Sequence, residues 1–371
     1  MNKREVREIR KVMKPDNPYC VINSIHIAVI DAEEVCRSKQ KISPLLMNDY
    51  EQNTIYKILR SIISTKLCKK FTEYDFNVED GVTVGVQKDL LVIREQKLDD
   101  KAFDLLCDDI TDHCVYPGPY AIVAASLTYS VLHRNAAGED EKFRTEDFNF
   151  IVTAICPAHT IDPGFSFNNA TDEFSTETDK KLYISPDPVD GFMFPSYSDR
   201  TADVNSVMYY CKNPKNPNLR FIEDFLGCSF TLTAESESAY FKQILENTYQ
   251  DDLTYSVLYL VNDLLTDWFD TFKDDSKPPM VGKSDISLAL HLSGERLENF
   301  NKAWDFILNG VTELHLENLI ESKIKIQTSD YTISFKPEFN LLSTNASEGA
   351  KNIKLGTTDS CYDVNGILID F

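Results

Sequence analysis

Two apolar stretches, YAIVAASLTY at 120–129 and FNFIVTAICP at 148–157, constrain the fold more than any other part of the chain. Apolar runs of this length read as central strands of a sheet. The segment joining them, HRNAAGEDEKFRTED, is polar and contains glycine, as an exposed hairpin loop does. A chain of 371 residues also exceeds what a single hydrophobic core usually supports, so two packed units are expected. With 42% hydrophobic and 26% charged residues, it falls in the ordinary globular range, with material for a sizeable core.

Around that centre the periodicity changes with position. Residues 2–13 predict a helix with Val6, Ile9 and Met13 on its apolar stripe and Pro15 closing it. Its other face is basic, with Lys3, Arg4, Arg7, Arg10, Lys11 and Lys14 against Glu5 and Glu8. This arm is expected to dock on the acidic body of its own chain or of a sister subunit; nucleic-acid or membrane contact is the alternative. A strand over 21–29 is followed by a turn at 31–34 and a second strand. Ser43-Pro44 reads as a helix start, with Ile55, Ile58, Leu59, Ile62, Ile63 and Leu67 at helical spacing behind it. More helix follows over 90–110 with a break at 97–99, and a further strand over 204–211.

Between the central strands and that last strand lie residues 157–200, with Pro157, Pro163, Gly164, Pro186, Pro188, Gly191 and Pro195. Prolines at this density predict a long irregular loop. It also carries Phe165, Phe167, Phe192, Phe194 and Tyr197, which must be buried somewhere, and long loops of this kind are disproportionately functional. FPSYSDR at 194–200 sets Asp199 beside Arg200 directly after the aromatic cluster. There the guanidinium could grip a carboxylate or phosphate while Asp199 orients it or accepts a proton; the alternative is an ion pair that fixes a turn. The expected site is therefore Asp199, Arg200, His159, Asp162, Phe194 and Tyr197.

From about residue 218 the chain turns helical, over 239–249 and 255–272, and KDDSKPP at 273–279 reads as a linker. Beyond it come two short helices and then period-two strands ending in VNGILIDF. The expectation is an α+β protein: a mostly antiparallel central sheet covered by helices in a main domain over 1–276, and a small C-terminal α+β domain over 280–371.

The net charge of −21 disfavours nucleic acid and anionic membranes, and leaves a protein or a small molecule as the expected partner, with homo-oligomers permitted. Nine scattered cysteines with no CxxC pair predict reduced thiols and hence the cytoplasm. A charged start predicts no leader, and nothing approaches the roughly 18 apolar residues of a membrane span. No phosphate-binding glycine loop, HExxH, GxSxG or EF-hand pattern occurs. Cys156 and His159 have CxxH spacing, but two ligands are too few for zinc, and Cys107, His113 and Cys114 could join only through tertiary proximity; no metal or cofactor is expected. A Cys-His nucleophile would need a lowered thiol pKa. Residues 284–310 superficially resemble a helix-turn-helix, but Glu295 and Glu298 would face the phosphates, which favours a structural helical hairpin.

Longer stretches carry a resemblance. MNKREVREIRKVMKP, AICPAHTIDPGFSF, GFMFPSYSDRTADVNSVMYY, FIEDFLGCSFTLTAESESAYFKQILENT, KDDSKPPMVGKSDI and the closing VNGI, in that order and spacing, resemble the family called domain of unknown function 4317. The resemblance spans nearly the whole chain, and departs from the family pattern around residues 25–27 and near Leu182. It implies a cytoplasmic setting in Gram-positive, mostly clostridial, bacteria, and no reaction. Three readings of function follow: a non-catalytic binding or regulatory protein using 157–200; an enzyme acting on an anionic small molecule, with Arg200 as clamp, Asp199 as orienter or base and His159 or Asp162 moving a proton; and nucleic-acid association through the basic helix.

Overall fold

The computed structural model describes all residues except 32–34, 80–81, 97, 135–139, 163, 169–171, 178–180, 199–200, 231, 273–277, 328–331, 336–360, 365–366 and 371. The chain divides into two compact units, Met1–Phe230 and Thr231–Phe371.

The first unit runs α1 (Lys3–Val12), β1 (Cys20–Ile30), β2 (Cys36–Ile42), α2 (Asp49–Ile62), β3 (Phe71–Asp75), β4 (Val78–Glu79), β5 (Val82–Thr83), α3 (Gln87–Gln96) and α4 (Asp100–His113). It continues with β6 (Tyr120–Arg134), β7 (Asp140–Ile161), β8 (Gly164–Asn168), β9 (Glu173–Glu177), β10 (Lys181–Ile184), β11 (Asp190–Phe194), β12 (Ser196–Ser198), β13 (Thr201–Asp203) and β14 (Ser206–Cys211), then a π-helical turn at Phe221–Phe225. The large sheet has the order β2-β1-β6-β7-β11-β14-β3, with β10 paired to the far end of β7, and its strand pairs are antiparallel. The chain is thus α+β.

The central hairpin is β6 and β7, in register from Tyr120 opposite Pro157 to Tyr129 opposite Phe148. Along β6, Ala121, Val123, Ala125, Leu127 and Tyr129 face one core, while Tyr120, Ile122 and Ala124 face another. Burial on both faces is why these strands show no polar alternation. One face is covered by α1, through Val6 and Ile9, and by α2, through Ile55, Ile58, Leu59 and Ile62. The opposite face is covered by α3, α4 and the π-helical turn, with Leu90, Phe103, Ile110, Phe221 and Phe225 among the fillers. Each of these large side chains contributes about 1.5–3 kcal/mol by leaving water.

The basic arm therefore docks on its own chain, and does so by its apolar stripe: Met1, Val6, Ile9 and Met13 are all within the core. Asn2 starts α1 by a reciprocal cap, accepting from the Glu5 N–H at 3.0 Å while its own N–H donates to Glu5 Oε2 at 2.7 Å. The second helix begins later than Ser43-Pro44 predicts. Ser43 makes no side-chain cap and precedes only a 3-10 turn at Pro44–Leu46, whereas Asn48 and Glu51 form the same reciprocal cap at the start of α2.

The described residues of 157–200 do not form the irregular loop that the prolines predict. β7 continues through Pro157 to Ile161, β10 returns along it from Lys181 opposite Ile161 to Ile184 opposite Ala158, and β11 pairs with both β7 and β14. The prolines occupy places where a missing N–H costs little: Pro157 opposite the first residue of β6, Pro186 and Pro188 between β10 and β11, and Pro195 between β11 and β12. Gly191 in β11 is required by close approach, since a Cβ there would run into the Thr153 carbonyl and the end of the Ile62 side chain. That glycine lets the C-terminal end of α2 lie directly on the sheet.

The second unit comprises α5 (Ala234–Tyr249), α6 (Tyr255–Phe272), β15 (Met280–Gly282), α7 (Lys283–Ala289), α8 (Gly294–Leu308), β16 (Glu313–His315), α9 (Leu316–Leu319), β17 (Ile324–Gln327), β18 (Thr332–Phe335), β19 (Cys361–Val364) and β20 (Ile367–Asp370). Its core joins Phe241 and Leu245 of α5 and Leu265 of α6 to Phe300 and Trp304 of α8. Here the structure differs from the division at 273–279: α5 and α6 share an interior with the helices beyond the linker, so the contact boundary falls at Phe230–Thr231. Residues 273–277 lie outside the described residues.

Candidate functional site

Asp199 and Arg200 lie outside the described residues, so the pair cannot be placed. The aromatic residues beside them fill interior space. Phe194 is fully buried and meets Phe76 edge-on at 5.8 Å, and Phe192 packs on Phe221 and Phe225. Tyr197 is buried between Tyr129 and Phe148, at 5.7 and 5.0 Å, beside a cavity of about 10 Å³, which holds one water at most. The side chains of Phe165 and Phe167 lie outside the described residues. His159 and Asp162 are exposed, His159 opposite Tyr183. Phe194 pairs with Ile151, eight residues from His159 along β7, which is about 26 Å at roughly 3.3 Å per residue. The structure does not bring His159 together with Phe194.

Cys156 is fully buried, and burial pushes its thiol up to about 12; Cys107 behaves alike. Thiols held neutral in this way are poor nucleophiles and poor metal ligands. Among the described residues, no group of three or more His, Cys, Asp or Glu side chains surrounds a common metal position.

A feature of the first unit with the form of a binding site is a groove of about 680 Å³ between the C-terminal end of α1 and one face of α2. The α2 residues lining it fall at 49, 52, 53, 56, 57, 60 and 61, the spacing of a single helical face opposite the buried isoleucines. On the other wall stand Arg10, Lys14, Pro15 and Asp16. Four cations (Arg10, Lys14, Lys57, Arg60) thus meet two carboxylates (Asp16, Asp49) in a chain whose net charge is −21.

Arg10 organises the groove. Its Nη1 donates to the carbonyls of Arg60 and Ile63, two of the last-turn acceptors that α2 leaves without helical partners. This cap fixes α1 against α2 and brings the Arg10 and Arg60 guanidinium groups together. Burial, then the charge of Arg60, lowers the pKa of Arg10. Arg60 Nε is buried with no hydrogen-bond partner, and among the described residues no carboxylate pairs with either guanidinium. Two cations side by side without a counter-ion repel one another, so an anion between them would be held strongly. Tyr56 is half-buried, and burial, with Cys20 and Asp16 nearby, pushes its phenol up to about 12, so it stays a neutral hydrogen-bond donor. Among the described residues, no histidine or cysteine lines the groove.

Sequence alone does not mark this site: Arg10 is one of six cations in the arm, and the periodicity of α2 is dominated by its apolar face. The signal available was the polar face of that helix, where Asn53, Tyr56, Lys57, Arg60 and Ser61 recur at intervals of three and four.

A second polar centre lies on the opposite face of the sheet. The Asp190 carboxyl is buried; Tyr209 Oη donates to Oδ1 at 2.7 Å and Asn218 Nδ2 to Oδ2 at 3.3 Å. Burial pushes its pKa up, more than these donors pull it down. The buried Tyr116 hydroxyl is close enough to feel the same carboxyl but lacks hydrogen-bond geometry to it.

A family model described as Domain of unknown function (DUF4317) matches residues 1–367. No curated protein is similar enough to count as a match.

Proposed function

The chain belongs to the DUF4317 family, and we propose that it is a non-catalytic binding or regulatory protein. Its ligand is a small anion, and its site is the groove between α1 and α2 rather than residues 157–200. The observation that carries this reading is the Arg10–Arg60 pair: two adjacent guanidinium groups, partly withdrawn from water and without a carboxylate. Burying unbalanced charge costs folding free energy, and an anion arriving from solvent recovers it. The net charge of −21 supports selection of small ligands, because a polyanion would have to approach an acidic molecule. Among the described residues, no side chain that ordinarily titrates near neutrality lines the groove, which favours binding over proton transfer.

The test is isothermal titration of an anion panel (phosphate, sulfate, citrate, acetate) against the intact protein and an Arg10→Gln/Arg60→Gln double variant. At least one anion should bind the wild type and bind the double variant at least tenfold more weakly. Equal heats from both proteins would end the proposal.

The enzyme reading rests on Asp199, Arg200, His159 and Asp162. Turnover of an anionic substrate that is lost in Asp199→Ala and Arg200→Ala would establish it. Nucleic-acid association through α1 has less support: Val6 and Ile9 are buried, Arg10 is committed to α2, and Arg4 pairs with Glu8 at 3.1 Å. No described helix is long and apolar enough to cross a membrane.

A further inference from the structure

We infer that the ligand of this groove is a phosphomonoester of a small polyhydroxy compound, bound with its phosphoryl group between Arg10 and Arg60. The inference rests on the anion-binding reading and adds the ligand's class and direction.

Three features carry it. The first is charge. Arg10 and Arg60 line the same groove, with Arg10 Nη1 bonded to the Arg60 carbonyl, and leave two positive charges to neutralise; the four cations exceed the two carboxylates of the groove by two. A monoester phosphoryl group near neutral pH carries about −1.5 to −2, whereas a carboxylate or a phosphodiester carries a single charge. Nucleic acid, a chain of diesters, is the poorer match on this count as well. The second is donor geometry. Arg60 Nε–H has no acceptor, and Lys57 lies one helical step from it on the same face of α2. Donors arriving from several directions suit the tetrahedral oxygens of a phosphoryl group better than the planar pair of a carboxylate.

The third feature is polarity along the groove. The lining face of α2 spans Asp49 to Ser61, roughly 18 Å at about 1.5 Å per residue, which is far longer than inorganic phosphate needs. Its cations lie toward the C-terminal end, at Lys57 and Arg60, while Asp49, Gln52 and Asn53 line the other end. Asn53 Nδ2 already donates to the Asp49 carbonyl at 2.7 Å and Gln52 Nε2 to the Met47 carbonyl at 3.3 Å, so this end of α2 presents mainly acceptors, two amide oxygens and a carboxylate, which suit hydroxyl groups better than a second phosphate. The volume, about 680 Å³, falls within the range of small-molecule sites, roughly 300–1,000 Å³.

The experiment titrates the intact protein with glycerol 3-phosphate, inorganic phosphate, sulfate, dimethyl phosphate and acetate, at pH 7.5 and pH 5.0. Glycerol 3-phosphate should bind at least tenfold tighter than dimethyl phosphate or acetate at pH 7.5. It should weaken severalfold at pH 5.0 as the phosphoryl group takes up a proton near pH 6; sulfate, a dianion at both pH values, should not. Asn53→Ala should weaken glycerol 3-phosphate and leave inorganic phosphate unchanged, and Lys57→Gln, exposed on α2, should weaken both even where Arg60→Gln perturbs folding. Acetate or dimethyl phosphate binding as tightly as glycerol 3-phosphate would overturn the phosphomonoester and leave the anion site standing. Binding of glycerol 3-phosphate no tighter than inorganic phosphate, with Asn53→Ala indifferent, would overturn the polyhydroxy portion. If no anion binds and Lys57→Gln and Arg60→Gln match the wild type, both this inference and the anion site fall.

Discussion

On one face of the large sheet Asp190 is buried with Tyr209 and Asn218 donating to its two oxygens; on the other, Arg10 and Arg60 share a groove with no carboxylate on either. Both are charged centres held partly or wholly away from water within one unit. They differ in whether the protein supplies the partners. Around Asp190 it does, and the result ties β11 to β14 and to the segment that enters the π-helical turn. Around the arginines it supplies backbone carbonyls for Arg10 and nothing for Arg60 Nε, and leaves the pair open to a groove. A satisfied, enclosed charge reads as structure, and a buried donor without an acceptor, on a side chain that lines a groove, as a site.

The contrast breaks most readily at Asp190. Asp190→Ala removes the acceptor of a buried donor, Tyr209, costing about 1–3 kcal/mol when left unpaired, and of the half-buried Asn218, which water can partly satisfy. Urea denaturation should show a loss of this order, while the folded fraction binds anions as before. Loss of anion binding with unchanged stability would exchange the roles of the two centres. Gly191→Ala comes next. It wedges a methyl group between β7 and the end of α2, an overpacking of about 1–3 kcal/mol, and by moving α2 it should weaken anion binding as well. Arg60→Gln sharpens the comparison from the other side: affinity for the bound anion falls at least tenfold, about 1.4 kcal/mol, while the urea midpoint without ligand stays within about 0.5 kcal/mol of wild type or rises.

The smallest effect concerns His26, on the enclosed face. Its Nε2 lies 3.0 Å from Asp100 Oδ1, its Nδ1 is buried without a partner, and its ring meets Phe103 at 5.1 Å. Burial lowers its pKa below 6.5, outweighing the opposite pull of Asp100. The unfolded chain binds the proton first as pH falls, so the contribution of His26 is complete above pH 6.5 and is lost as pH drops from there through the folded value. Thermal melts across pH 7.5 to 4.5 should show that decline in the wild type and a shallower one in His26→Gln.

How much of this was legible in the sequence depended on whether the cause was local. YAIVAASLTY and FNFIVTAICP announced β6 and β7 because burial on both faces removes polar residues from a strand. The break at 97–99 was visible because Asp99 caps α4 through the Ala102 N–H. The start of α2 was misplaced although its signal was present, since Asn48 and Glu51 have capping-box spacing and Ser43-Pro44 drew the reading instead. Residues 157–200 mislead for a different reason: proline content speaks to each residue's own N–H, whereas β10 and β11 exist because β7, with partners from Ile161 opposite Lys181 to Ile151 opposite Phe194, offers them an edge. The groove was the least legible feature. Which cation of α1 meets α2 is decided by how two helices cross, fifty residues apart at Arg10 and Arg60, and nothing in either segment alone distinguishes Arg10 from Arg7 or Lys11.

The most direct measurement follows the Arg60 Nε–Hε resonance by nitrogen-resolved NMR during titration with glycerol 3-phosphate. A ligand seated between the two guanidinium groups gives that proton its missing acceptor, so the resonance should shift and its exchange with water should slow, with the Arg10 side chain following. Saturating glycerol 3-phosphate that leaves both arginine side chains unmoved would contradict the groove as the place where this protein meets its ligand.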